Sequence, residues 1–225
     1  LTAGQALAHA TWIAQHSGDY VVIHGEGSAT DEAFDGTKVA EPKGFDKTGA
    51  AVAVALAVSD KGAALTGTEG AAVLSVRFNE GWWTEDAEGE WHNMPADGIA
   101  DFKSTGEYST YVVSYVGHSD KPAAVGHALE IVPLTDPTKL EKGDTFQVQV
   151  LQDGQPLKGV VINHDVFANS LDLSSAPTDD EGKTTLIVMN AGLNVAHYYV
   201  ETPTGEKAHK GVQSVLSYVA MGSEE

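Results

Sequence analysis

The chain has 225 residues, 42% of them hydrophobic and 8% aromatic, and its 13 Lys and Arg against 32 Asp and Glu give a formal net charge of −19. That size and apolar content suit one large or two smaller packed domains and exclude a chain that is mostly disordered. The charge argues against nucleic acid or anionic membrane as a partner and favours cations, while the absence of cysteine removes thiolate metal sites, cysteine nucleophiles and redox motifs together.

Residues 1–8 read as the end of a secretory signal, with small residues at Ala6 and Ala8 in the A-x-A pattern that signal peptidase recognises. Export to a bacterial periplasm through a cleaved signal is therefore expected. No stretch approaches the ~18 apolar residues of a membrane-spanning helix.

Strand signals begin directly after this segment. Residues 11–13 and 20–24 are β-rich runs separated by the turn-like Ser17, Gly18 and Asp19, which predicts a hairpin. Residues 25–49 are polar and glycine-rich and predict a loop or a short helical stretch. Alternating apolar patterns predict strands at 50–58, 71–78 and 108–116, with an aromatic and acidic loop over 81–91 between the last two. Residues 117–124 have linker composition. Beyond them strands are predicted at 129–132, 146–151, 159–162, 184–188, 194–200 and 212–219, with turns at Asp153-Gly154 and over 179–182. The pattern predicts an all-β fold of two immunoglobulin- or transthyretin-like β-sandwich domains with minor helix, at 9–120 and 125–222.

Several segments carry a family resemblance. In the second half these are Leu129 to Leu134, Leu140 with Gly143 and Asp144, Val148 to Leu151, Asp153 to Gly159, and Thr178 to Gly182. In the first half they are His9 with Trp12 and Ile13, Gly25, and Trp82-Trp83 before Asp86. On these residues the chain resembles the DUF4198, or nickel-uptake accessory, family of periplasmic β-sandwich proteins. The resemblance implies a non-catalytic protein that binds nickel or cobalt and serves a membrane uptake transporter. One departure is Glu107 to Tyr111, where similar sequences often carry lysines.

Nine histidines in an acidic chain are the residues to weigh for this chemistry, since imidazole binds Ni, Co, Cu and Zn through a neutral nitrogen and carboxylates can complete the shell. The candidate metal ligands are His9, His24, His127 and His197. Cleavage after Ala8 would give His9 a free amine beside its ring. His24 ends an alternating strand one hairpin from His9, His127 precedes the second set of strands, and His197 shares a strand face with Val195 and Tyr199. His164 and Asp165 are adjacent and so expected on opposite faces; His16, His92, His118 and His209 fall in polar segments and are expected to face solvent. No compact metal, nucleophile-elbow or phosphate-loop motif is present. The alternative function is a non-catalytic interaction module that binds carbohydrate or a protein partner through the Trp82 to Trp91 loop.

Overall fold

The computed structural model describes residues 10–25, 32–167 and 173–222. The chain folds as an all-β protein of packed sheets. The first half supplies β1 (Ala10–His16), β2 (Asp19–Gly25), β3 (Val39–Phe45), β4 (Ala51–Val52), β5 (Ala55–Ser59), β6 (Gly62–Thr66), β7 (Val73–Glu85), β8 (Trp91–His92) and β9 (Ser104–Tyr115). The second half supplies β10 (Leu129–Pro133), β11 (Thr145–Gln152), β12 (Gln155–Pro156), β13 (Lys183–Ile187), β14 (Gly192–Pro203) and β15 (Ala208–Ala220). Among the described residues helix is confined to two single 3-10 turns, Gly36–Lys38 and Pro137–Lys139, each capped by an aspartate (Asp35, Asp136) whose side chain accepts the backbone N–H of the threonine two residues on. Among the described residues no helix is long and apolar enough to cross a membrane.

A seven-stranded sheet in the order β14-β15-β9-β7-β3-β4, with β8 beside β7, forms the middle of the molecule. Its strands are apolar on both faces. On one face Leu74, Val76, Phe78, Val112, Val195 and Val215 pack against Trp12, Ile13 and Val22 of the sheet β1-β2-β6-β5. On the other, Val73, Val113, Tyr115, Leu216 and Tyr218 pack against Leu129, Ile131, Phe146 and Val148 of the sheet built on β10 and β11. Period-two alternation thus sends neighbouring residues such as Val73 and Leu74, or Val112 and Val113, into different cores.

Residues 116–128 contain no strand, yet the chain beyond them does not stay apart: β15 pairs in parallel with β9, from Ala208 opposite Thr105 to Tyr218 opposite Tyr115. The hydroxyls of Ser114 and Ser217 meet across this pairing inside the molecule. The central sheet therefore draws strands from both sides of the expected linker.

The hairpin of β1 and β2 turns at Ser17 and Gly18, both with positive φ (53° and 96°), as the two-residue turn that matches strand twist requires. Several expected elements differ. Residues 50–58 are two short strands in different sheets, because the chain leaves the central sheet after β4 and enters the outer one with β5. Residues 159–162 form no strand: the N–H groups of Val160 and Ile162 donate to Thr178 Oγ1 and Ser175 Oγ instead of to a regular ladder. Strands β3 and β6 arise where no strand was expected. The expected loop over 81–91 is largely the continuation of β7 and its short hairpin with β8, closed by Asp86, whose Oδ1 accepts the N–H groups of Glu88, Gly89 and Glu90.

Candidate functional site

Among the described residues a cavity of about 270 Å³ opens on the central sheet beyond the end of its first core. One wall is His24 of β2 with Glu32, and another is Glu80 and Trp83 of β7 with Trp91 of β8. The floor is a row of polar and aromatic side chains, Tyr108 and Thr110 from β9, Gln213 from β15 and Tyr199 from β14. These residues belong to one face because Tyr108 lies opposite Gly211, Thr110 opposite Gln213, and Gln213 opposite Tyr199. They continue the rows that end in Val112, Val215 and Val195 in the core, so the face changes from apolar to polar within one strand step.

His24 is the best-anchored group of the wall. It lies opposite Thr11 in the hairpin, and Thr11 Oγ1 is 2.9 Å from its Nδ1. Its ring stacks on Phe78 with centroids 4.8 Å apart and planes 17° from parallel, and Phe34 packs edge-on against it. Glu80 Oε1 is 3.9 Å from the same Nδ1. A hydroxyl at Nδ1 with a carboxylate nearby fixes the orientation of the ring, as outer-shell partners do for imidazoles in general. The two glutamates and the overall charge of −19 make the wall attractive to cations.

The other candidate histidines are dispersed. His197 sits on the same face of the central sheet, next to the floor: its Nδ1 is 3.4 Å from Gln213 Nε2, and Gln213 Oε1 in turn accepts a hydrogen bond from Thr110 at 3.3 Å. Burial lowers its pKa to about 4, so its ring is neutral at neutral pH. His127 lies across the sheet, in the second core. Ser75 Oγ is 2.5 Å from its Nε2, Tyr111 packs against the ring at 4.9 Å, and its buried Nδ1 has no hydrogen-bond partner among the described residues. Burial, reinforced by Lys43 and Arg77, lowers its pKa to about 4 as well. A full sheet separates His127 from His24 and His197, so these three do not share one centre. His9 and the expected signal segment lie outside the described residues. Among the described residues no three His, Asp or Glu side chains converge as a metal-binding group.

The remaining histidines divide. His16 is exposed, whereas His92 is held by Asp86 at 2.7 Å and His118 bridges Asp120 and Asp136. His164 is buried and accepts the N–H of Ile187 at 3.1 Å. His209, expected in solvent, is largely covered, its side chain only 15% exposed. The bulge between Asn79 and Gly81 resets the alternation of β7, so Trp83 lines the cavity while Trp82 does not.

Glu80, Tyr108, Tyr199 and Gln213 were not among the residues that sequence patterns single out. One signal does point to them: Gly106 and Gly211 sit in strand interiors, where glycine often marks a close approach. A Cβ at Gly211 would collide with the rings of Tyr108 and Tyr199, and one at Gly106 with His209.

Comparisons with curated proteins and with solved structures find no match. The family model described as a domain of unknown function (DUF4198) matches residues 6–202, most of the length of the chain. Strands β1 to β13 and β14 as far as Thr202 fall within that match, whereas β15, which gives Gln213 to the cavity and Val215, Leu216 and Tyr218 to the two cores, lies beyond it. The match covers well over half of the chain, and the chain belongs to the DUF4198 family.

Proposed function

We propose that this chain is a non-catalytic periplasmic binding protein for a transition metal ion, nickel or cobalt, taken up in the cavity beside His24. The observation that carries the reading is the arrangement of that wall: an imidazole positioned through Nδ1 by Thr11, with Glu80 at 3.9 Å and Glu32 lining the same space. Imidazole with carboxylate oxygens suits Ni, Co, Cu and Zn. A strongly acidic chain also raises the local concentration of cations around it. In this reading the protein delivers its ion to a membrane uptake transporter, and His9, with a free amine after cleavage at Ala8, adds nitrogen donors.

Calorimetric titration of chelator-stripped protein with Ni(II), Co(II), Cu(II) and Zn(II) tests this. His24→Ala should weaken the preferred ion at least tenfold, which is about 1.4 kcal/mol. Binding no tighter than about 1 mM for every ion, or equal affinity in wild type and His24→Ala, would sink the reading. Comparing chains that begin at Leu1 and at His9 isolates the contribution of the amine.

A second reading, a module that binds a carbohydrate or a protein partner, is favoured by the aromatic character of the same cavity. Trp83, Trp91, Tyr108 and Tyr199 all line it, and such rings stack on sugar or peptide surfaces. Trp83→Ala with Trp91→Ala should then abolish retention on a glycan array and leave metal affinity unchanged.

A further inference from the structure

At the outer end of the same face, four side chains from three strands meet through a run of short contacts. Tyr108 Oη lies 2.5 Å from His209 Nε2, His209 Nε2 lies 2.8 Å from Glu201 Oε1, and Tyr199 Oη donates to Glu201 Oε1 at 3.1 Å. Two glycines make the convergence possible. Gly211 lies between Tyr108 and Glu201 in the sheet, and any side chain there would strike both tyrosines; Gly106 stands opposite His209 and leaves room for its ring. Two bare backbone positions inside long strands cost stability, and what they gain is the meeting of these four donors.

Protons serve this meeting poorly. One imidazole nitrogen, carrying at most one proton, faces both a phenol oxygen and a carboxylate oxygen. A cation serves it well. Donors about 2.1 Å from a metal and at right angles around it lie about 3 Å apart, close to the observed 2.5–3.1 Å.

From this geometry we infer a second cation site, formed by Tyr108, Tyr199, Glu201 and His209, that takes a hard trivalent ion, Fe(III), with both tyrosines bound as phenolates. Three of the four donors are oxygens, and oxygen donors suit hard cations where imidazole alone suits softer ones. Binding releases the two phenol protons to solvent. Displacing those protons calls for a highly charged ion. This site shares no donor with the His24 wall and does not depend on the function proposed above.

The test adds ferric nitrilotriacetate to chelator-stripped protein and records the visible spectrum, where phenolate-to-iron charge transfer gives a band that no other residue in the site produces. Wild type should develop the band at one equivalent. Tyr108→Phe and Tyr199→Phe should each diminish it, and the double variant should lose it, with a loss of affinity beyond the roughly 10–100-fold typical of outer-shell partners. His24→Ala should keep the band while losing nickel or cobalt, which separates the two sites. A colourless wild-type protein, or a band that persists in the double variant, overturns the inference. Because the spectrum of wild type decides first, a variant that fails to fold cannot rescue it.

Discussion

Truncating Phe78 to alanine is expected to destabilise the protein by about 3–5 kcal/mol, the range for large aromatic deletions in cores, and to loosen His24 at the same time. Phe78 is 1% exposed and lies at the boundary between the first core and the cavity. Its ring carries His24 on one side at 4.8 Å and receives the edge of Phe34 at 5.1 Å. Alanine would leave a hole among β-sheet side chains that cannot slide together, because the strands on both sides are fixed by their ladders. For a chain of this length the melting temperature should fall by about 6–20 °C. His24 would keep its bond to Thr11 and lose its platform, so the nickel or cobalt affinity proposed for this wall should drop even under conditions where the variant remains folded. Phe78→Leu separates the two effects: it restores most of the volume, and so most of the stability, without restoring an aromatic surface. A Phe78→Ala protein that melts within 2 °C of wild type, less than the shift from about 1 kcal/mol, would show that the ring is not packed as described.

The dependence of His24 on Phe78 illustrates what local sequence patterns reveal. The hairpin that carries His24 is legible because Ser17 and Gly18 provide the turn, and alternation across 20–24 places the histidine on the buried face. Phe78 is legible as a core residue of an alternating strand for the same reason. Their stacking is not, since it depends on how two sheets pack. Pairing at long range is equally hidden: Ser114 and Ser217 are 103 residues apart and meet only because β15 joins β9 in parallel. The cluster of Tyr108, Tyr199, Glu201 and His209 follows from that pairing, so residues that look unrelated along the chain, and a histidine in a polar stretch, form one group. The tryptophans depart from the expected loop for a different reason. Aromatic and acidic residues with glycine on either side look like a loop, but a single bulge lets β7 continue through them and decides which tryptophan enters the cavity.

Acidification from pH 7.5 to pH 5 is expected to destabilise the protein by about 4 kcal/mol through His127 and His197 alone. Both have an ordinary unfolded pKa of 6.5 and a folded pKa lowered to about 4. Between those values the unfolded chain binds protons that the folded chain refuses, so stability rises with pH. Their contribution is complete above pH 6.5, is lost progressively as pH falls, and stops changing below about pH 4. At pH 5 each histidine has lost about 1.5 pKa units' worth of free energy, roughly 2 kcal/mol. Around His127 the neighbours reinforce the trend: Lys43 and Arg77 repel an imidazolium there, and the Glu130 carboxylate is already engaged by the N–H groups of Val125 and His127. Asp165 works the other way, because burial raises its pKa and favours the folded state as protons are taken up. In the presence of chelator, the melting temperature should fall by about 8–16 °C between pH 7.5 and 5. His127→Gln, which can still accept from Ser75 and does not titrate, should remove about half of that dependence. A melting temperature constant to within 2 °C across the interval, a shift worth no more than about 1 kcal/mol, would mean that neither ring is held neutral by the sheet that separates them.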